Sequence, residues 1–453
     1  MDLQPRPVER ASYPPRPGNH VSVLVDGHEA FGRIFHVAAR ASASLWITVS
    51  FVDLDMPVPG DGRPLVEFLD ARAHDGVDVR LLFWWSEFPG IGSFRGDDHE
   101  LEMLRERGSR IKMRWDHIHR GCHHQKSHVI DGETAFVGGM NLSPDGLSVP
   151  GHHDDTYHDV FAELRGPAVA DVAANFTQRW NQATETRTRG HAFPSTEHAD
   201  DIRPSHRGGV EKHVGSWVQV VRTIGDGLYS GRFGWQTSDA WDMADGEHGI
   251  RDTLVSLIDG ARRQIYIENQ FLLDPDTIAR LGDAARRGVE VIAVVPCEPD
   301  PNLSLYPDED MQRSREALAS LARCERFGLF GLTDPAEPRR SIYVHTKLMI
   351  VDDRAMTLGS ANLWPPSYDR DSELNVCVWD PALCESTRRR LWDEHLLGLA
   401  ADGIGDWRSL ASVDRAAPGE RRTRLVALDP ASYYTFTDDH VAPWNDVREA
   451  SES

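Results

Sequence analysis

One stretch of this chain is written twice, and any fold the chain adopts has to accommodate both copies. The first reads HHQKSHVIDGETAFVGGMNL at 123–142 and the second VHTKLMIVDDRAMTLGSANL at 344–363. Superposed, they share His124, Lys126, Asp131, Gly138, Gly139 and Asn141 in one copy with His345, Lys347, Asp352, Gly359, Ser360 and Asn362 in the other. The spacing is identical: seven residues from His to Asp and 17 from His to Asn in both copies. Six matched positions at fixed offsets in one chain make this an internal duplication.

Each copy carries two short apolar runs around an Asp-rich turn, which predicts a β-hairpin. On a strand, residues two apart share a face, so each His projects beside its Lys. An imidazole with an ordinary pKa near ~6.5 serves as nucleophile, base or acid at neutral pH, and the ammonium beside it attracts an anionic oxygen. The paired small residues let backbone approach closely, and the Asn offers a hydrogen-bond donor. Two such halves facing each other make a phosphodiester site. Asp131 and Asp352 lie in the turns and are expected to bond backbone amides, a structural role.

The pattern H-x-K-x4-D-x6-G-[GS]-x-N resembles the duplicated motif of the phospholipase D superfamily. Ile265–Phe271, reading IYIENQF, is similar to a strand of that family's phospholipases, and Asp371-Ser372-Glu373-Leu374 to the acidic segment after their second motif. The resemblance implies an α/β fold of two similar sandwich halves, each a mixed, mainly parallel sheet flanked by helices, related by a pseudo-twofold axis. It implies that Asp159 and Glu373, aligned with each other eight residues before Pro167 and Pro381, orient the motif histidines through the second ring nitrogen. It further implies a phosphohistidine intermediate on His124 with His345 as acid and base, while Lys126, Lys347, Asn141 and Asn362 hold the non-bridging oxygens. No metal and no cofactor are expected in this chemistry.

The helix and strand patterns also occur twice. A helix over 31–43, the strand Leu45–Val49, a helix with Leu65, Phe68, Leu69 and Ala73, and the strand Val77–Leu82 match a helix over 250–261, the strand Gln264–Phe271, a helix over 275–287 and the strand Val289–Val294. The expected organisation is an irregular lead-in at 1–19, a first half at 20–184, a linker at 185–245 with one strand near Trp217, a second half at 246–400 and a tail at 401–453.

A formal charge of −22 repels nucleic acid and anionic membranes at long range, so phosphate attraction has to be local to the site. A nuclease is thereby disfavoured and no nucleic-acid partner is expected. Five cysteines without CxxC spacing form no disulfide framework. No apolar run is long enough to span a bilayer, which predicts a soluble, cytoplasmic monomer that touches membranes transiently at their surface. The histidine-dense stretch (His117, His119, His123, His124, His128, His152, His153, His158) fits no zinc spacing. The run Leu81–Trp85 with Phe88–Phe94 is either a buried strand ending in a loop or an apolar lip for acyl chains.

The leading expectation is hydrolysis of glycerophospholipids to phosphatidic acid, with some transphosphatidylation. The alternatives are a cardiolipin-synthase-type phosphatidyltransferase, whose members usually carry N-terminal membrane helices, and a nuclease of the same superfamily.

Overall fold

The computed structural model describes residues 11–85, 103–117, 121–149, 156–183, 215–226, 246–300, 308–337, 339–413 and 422–434, with short pieces at 8, 151–152, 200–202 and 303. In the first half the strands are β1 (Arg16–Val25), β2 (Ser44–Thr48), β3 (Asp78–Trp85), β4 (Lys112–His117), β5 (Lys126–Ile130), β6 (Thr134–Gly138) and β7 (Val160–Arg165). They lie in the order β4-β3-β2-β5-β6-β7-β1; β2, β3 and β4 run parallel and every other neighbour is antiparallel.

The second half repeats this order with β8 (Ser216–Ile224), β10 (Gln264–Asn269), β11 (Glu290–Val294), β12 (Phe327–Thr333), β14 (Lys347–Val351), β15 (Ala355–Gly359) and β16 (Glu373–Trp379), arranged β12-β11-β10-β14-β15-β16-β8. Short strands β9 (Glu247–His248), β13 (Ser341–Ile342) and β17 (Leu425–Ala427) extend it. The sheet is mixed, but the expectation that it is mainly parallel is corrected: parallel order is confined to three strands per half. The cause is local. The motif is a hairpin, and its carboxylate-bearing partner strand follows through a short connection, so both pair antiparallel.

The two halves are joined edge to edge. β1 pairs antiparallel with β8 through Arg16–Val218 and Asn19–Ser216, with a shift in register between them, which leaves one continuous sheet. The helices Asp26–Ala38 and Leu65–His74 pack Phe31, Ile34, Phe35, Phe68 and Leu69 into one outer core, and Gly249–Gly260 with Pro275–Arg286 pack Ile250, Leu254, Ile278 and Leu281 into the equivalent one. Between them a third core draws on both halves, including Val137, Ala162, Val218, Leu348, Val376, Trp392 and Trp407. Burial of such side chains, about 1.5–3 kcal/mol each, is what holds the halves against one another.

Boundaries differ from the sequence pattern where capping decides them. The first helix starts at Asp26 rather than Phe31, because Glu29 reaches back to accept the amide of Val25 at 2.9 Å, a cap that apolar spacing does not register. β1 begins inside the expected lead-in. Part of the expected tail belongs to the second half: the helix Ile404–Val413 and β17 pack on it, and the Tyr434 hydroxyl accepts the amide of Leu272 at 3.0 Å. Most of the expected linker lies outside the described residues, and 215–226 is the β8 region. Leu81, Leu82, Phe83 and Trp84 are a buried strand, while 88–94 lie outside the described residues. Among the described residues no helix is long and apolar enough to cross a membrane.

The hairpin turns carry the motif aspartates. Asp131 and Gly132 have φ of 54° and 68°, and Asp352 and Asp353 have 56° and 54°, the left-handed region that tight hairpins require. The Asp131 carboxylate accepts the amides of Ser42, Ala43 and Ser44 at 2.9, 2.8 and 2.8 Å. Asp352 does the same for Arg262, Arg263 and Gln264 at 2.8, 2.7 and 2.9 Å. Each thus ties the loop entering the neighbouring parallel strand to the hairpin. Asp131→Ala is expected to lower the unfolding free energy by about 1–3 kcal/mol, since three amides lose their acceptor, and to leave kcat nearly unchanged. Denaturant unfolding beside a turnover assay checks both; a kcat loss at unchanged stability would place this aspartate in the chemistry instead.

Candidate active site

Each motif strand is preceded by a residue pinned to the opposite half. The amide of His124 donates to Ser372 O at 2.9 Å, and the amide of His345 donates to His158 O at 2.8 Å. The next residue along each acceptor strand is a carboxylate, Glu373 and Asp159. The consequence is an exchange: His124 Nδ1 lies 3.0 Å from both oxygens of Glu373 in the second half, and His345 Nδ1 lies 2.7 Å from Asp159 Oδ2 in the first. The sequence aligned the two carboxylates with each other but not with the histidine each one holds.

The small residues of the motif make room for these pairs. A Cβ on Gly139 would fall 2.4 Å from Asp159 Oδ2, one on Gly138 2.5 Å from the Phe161 ring, and one on Gly359 2.2 Å from Leu374 O. Ser360 stands where the first copy has Gly139, and its hydroxyl donates to Glu373 Oε2 at 2.5 Å; Ser367 donates to Oε1 at 2.5 Å. Sequence reasoning missed Ser367, which lies outside the motif.

Lys126 and Lys347 are buried. Lys126 Nζ donates to His124 O at 2.8 Å; Lys347 Nζ donates to Gln270 Oε1 at 3.0 Å and to His345 O. Gln270, quoted in the IENQ stretch but given no role, also accepts Asn362 Nδ2 at 3.3 Å and donates to Tyr343 Oη at 2.8 Å. Asn141 uses its Oδ1 to accept the amide of Ser50 at 2.9 Å, which leaves its amide nitrogen as the remaining donor. Tyr157 lies against His345, ring centroids 4.6 Å apart.

Burial dominates the electrostatics. It lowers Lys126 to about 8 and Lys347 to about 7, and it raises Asp159 and Glu373 to about 7. Burial and the two ammoniums push both histidines well below 6.5. A neutral imidazole whose Nδ1–H faces a carboxylate keeps its lone pair on Nε2, the nitrogen directed away from the support. One such nitrogen can attack a phosphodiester, and the other, when it carries a proton, can give that proton to the departing alkoxide.

The remaining histidines scatter. His123 bonds to the Arg179 guanidinium, which also holds Asp116; His128 is buried against Phe161; His152 and His158 join a separate cluster. The His117 side chain and residues His119 and His153 lie outside the described residues. Cys122, half-buried, gives its amide to Asp371 at 2.9 Å.

The family model described as "Cardiolipin synthase, PLD-like domain" matches residues 34–180 and 254–394, and the model "Phospholipase D" matches 150–279. Among curated proteins the chain is 25% identical to phospholipase D A of Dictyostelium discoideum over 490 residues, covering 85% of this chain and 36% of that one. It is 27% identical to cardiolipin synthase A of Pseudomonas aeruginosa, covering 80% and 64%, and 21% identical to cardiolipin synthase 1 of Staphylococcus epidermidis, covering 82% and 66%. The chain therefore spans between about a third and two thirds of the length of these relatives. Its fold is similar to that of phosphatidylserine synthase of Haemophilus influenzae, with a TM-score of 0.60 at 14% identity over 97% of this chain and 94% of that one. With a family model matching both halves and both copies of the motif within its two segments, the chain belongs to the phospholipase D superfamily.

Proposed function

We propose that this chain transfers a phosphatidyl group from a glycerophospholipid to an alcohol, a reaction of the cardiolipin-synthase type, through a phosphohistidine. The observation that carries the reading is the exchanged pair of His–carboxylate contacts, each made at Nδ1 of a histidine two residues from a buried lysine. The relatives named as cardiolipin synthases support an alcohol acceptor over water. Hydrolysis to phosphatidic acid, the reading placed first by the motifs, is the second reading, and the similarity to a phospholipase D supports it. The phospholipid would be met at a bilayer surface.

His124 Nε2 attacks phosphorus as the head-group P–O bond breaks, and His345, holding a proton on Nε2, gives it to the leaving oxygen. His345 then takes a proton from the acceptor hydroxyl. That oxygen attacks phosphorus, the P–N bond breaks, and His124 is restored. Lys126, Lys347, Asn141 and Asn362 bind the non-bridging oxygens and stabilise the added charge of the pentacoordinate state. Asp159 faces the imidazolium that His345 becomes, and Glu373 fixes the tautomer of His124.

Mixed vesicles containing phosphatidylglycerol, assayed with chelator and beside single- and double-stranded DNA, test the reading. Formation of cardiolipin and free glycerol, lost in His124→Ala/His345→Ala, is the expected result. Phosphatidic acid as the dominant product would move the assignment to hydrolysis, and DNA cleavage with inert lipid would remove the phospholipid reading. Rapid-quench trapping with labelled donor should leave label on His345→Ala and none on His124→Ala; the reverse pattern exchanges the two roles.

Asp159→Asn and Glu373→Gln each remove the charge facing one Nδ1 and are expected to lower kcat about 10²–10⁴-fold with KM changed much less. Loss of substrate affinity with kcat intact would contradict an orienting role.

The lysines set a pH limit. As pH rises through about 7 and 8, Lys347 and Lys126 lose the charge that receives the phosphodiester, so kcat/KM of the free enzyme should fall there rather than near the ordinary ~10.4 of lysine. Bound phosphodiester stabilises both ammoniums, which moves the corresponding limb of kcat to higher pH. An alkaline limb of kcat/KM near 10 would contradict the burial effect.

A further inference from the structure

Behind the His345–Asp159 pair lies a second set of ionisable side chains that the transfer chemistry leaves unused. His158 Nδ1 is 2.8 Å from Asp26 Oδ1, and His152 Nε2 is 3.0 Å from Asp26 Oδ2 and 2.9 Å from Glu394 Oε1. His158 Nδ1 and Glu394 Oε1 are 3.7 Å apart. Asp26, His152 and His158 are buried, and the ligand-type atoms of all four residues lie within 4.8 Å of one another. Asp26, His152 and His158 come from the first half and Glu394 from the second.

We propose that Asp26, His152, His158 and Glu394 form a site for a divalent cation of the zinc class that ties the two halves together behind the catalytic centre. Two imidazoles and two carboxylates are a ligand set that zinc takes in tetrahedral sites. Ligand bonds of about 2.0–2.2 Å place neighbouring donor atoms roughly 3.3 Å apart, and the four separations above, 2.8 to 3.7 Å, bracket that value. Hydrogen bonding alone serves the cluster less well: the single hydrogen of His152 Nε2 would be shared between two carboxylates of different residues, whereas one cation binds both. With two neutral imidazoles the dication also balances the two carboxylates.

The surroundings have the features a metal site needs. His158 presents its other nitrogen, Nε2, to Glu268 Oε2 at 3.0 Å, and Glu268 is held by His395 Nε2 at 2.9 Å and Tyr266 Oη at 2.5 Å. A carboxylate on the far side of a ligating imidazole fixes its tautomer and orientation. Arg340 and Arg424 donate to His152 O and Gly151 O at 3.2 Å each, which holds the loop carrying His152. Asp26 and His152 both have left-handed backbone, φ of 63° and 49°, a conformation that persists for such residues only where surrounding contacts enforce it. A cavity of about 220 Å³ lined by Asp26, Glu29, Gly151, Arg390 and Glu394 opens onto the cluster and provides an entry path.

The duplication did not create this site. Asp159 aligns with Glu373, so the residue equivalent to His158 is Ser372. The site's reach into the active centre is through the backbone: the carbonyl of His158 accepts the amide of His345. A bound cation would therefore reinforce the placement of His345 and the contact between halves without touching substrate.

The test uses the full chain without a histidine tag, stripped with chelator and titrated with zinc chloride by calorimetry while thermal unfolding is followed in parallel. Saturable uptake of one zinc per chain and a rise in Tm of several degrees are expected. Glu394→Gln keeps the side-chain volume and lies outside the transfer machinery; it is expected to weaken zinc binding at least about 10-fold, and Glu268→Gln, which acts through His158, about 10–100-fold. Circular dichroism establishes that each variant is folded. No saturable uptake by the wild-type chain overturns the proposal, whatever the variants do. Zinc bound equally by wild type and folded Glu394→Gln overturns it too, because the ion would then sit elsewhere.

Discussion

Neither half of this molecule contains a complete pair of motif histidine and supporting carboxylate. Glu373 supports His124 and Asp159 supports His345, and each pair crosses between halves. The exchange follows from two backbone hydrogen bonds, His124 to Ser372 and His345 to His158, each placing a motif strand one residue out of step with a carboxylate on the other half. The edge pairing of β1 with β8, the shared core around Val218, Val376 and Trp392, and the small residues at 138, 139 and 359 all serve to form these two pairs across the two halves. Separation of the halves would leave two imidazoles without their carboxylates and two carboxylates without their imidazoles, which ties the site to the same packing that stabilises the fold.

What the sequence disclosed and what it withheld divide by range. The hairpins, the parallel strands beside them and most helices were legible because their signals are local: period-two alternation, a turn aspartate, apolar residues three and four apart. The motif histidines and lysines were legible because they are written twice. The exchange between halves was not, since an alignment of Asp159 with Glu373 says that the two are equivalent without saying which histidine each one meets. The start of the first helix was set by Glu29 reaching back to Val25, and β1 by distant pairing partners such as Arg165 for His20 and Val160 for Val25; neither leaves a periodic trace. The cluster of Asp26, His152, His158, Glu268, Glu394 and His395 was hidden for the same reason. Its spacing in the chain matches no ligand pattern because four separate segments supply it.

The acidic charge of the chain, −22, and the proposed phosphodiester substrate are compatible only if the site carries its own field. Lys126 and Lys347 provide it, but they do so from buried positions that lower their affinity for the proton. Water exclusion lowers the local dielectric, so an ammonium retained there attracts a phosphodiester more strongly than a surface lysine would, and is screened less by salt. Asp159, Glu373 and Asp371 stand close enough to raise the lysine values against burial. The carboxylates thus have two effects: they orient imidazoles, and they keep the neighbouring ammoniums charged.

The halves are equal in the motif and unequal in what supports it. Glu373 is held by the hydroxyls of Ser360 and Ser367 as well as by His124, whereas Asp159 is bonded to the amide of Val160 at 2.7 Å and to His345. Gln270 bridges Lys347, Asn362 and Tyr343 in the second half; the aligned position in the first half is Ser50, which gives its amide to Asn141. The two dyads keep similar Nδ1–carboxylate distances, 3.0 and 2.7 Å, with different hydrogen bonding. Duplication sets the symmetric skeleton of two imidazoles and two ammoniums. The proposed two-step displacement needs its two histidines to behave differently, one as nucleophile and one as proton carrier, and the unequal supports give the two imidazoles different surroundings while leaving the motif itself intact.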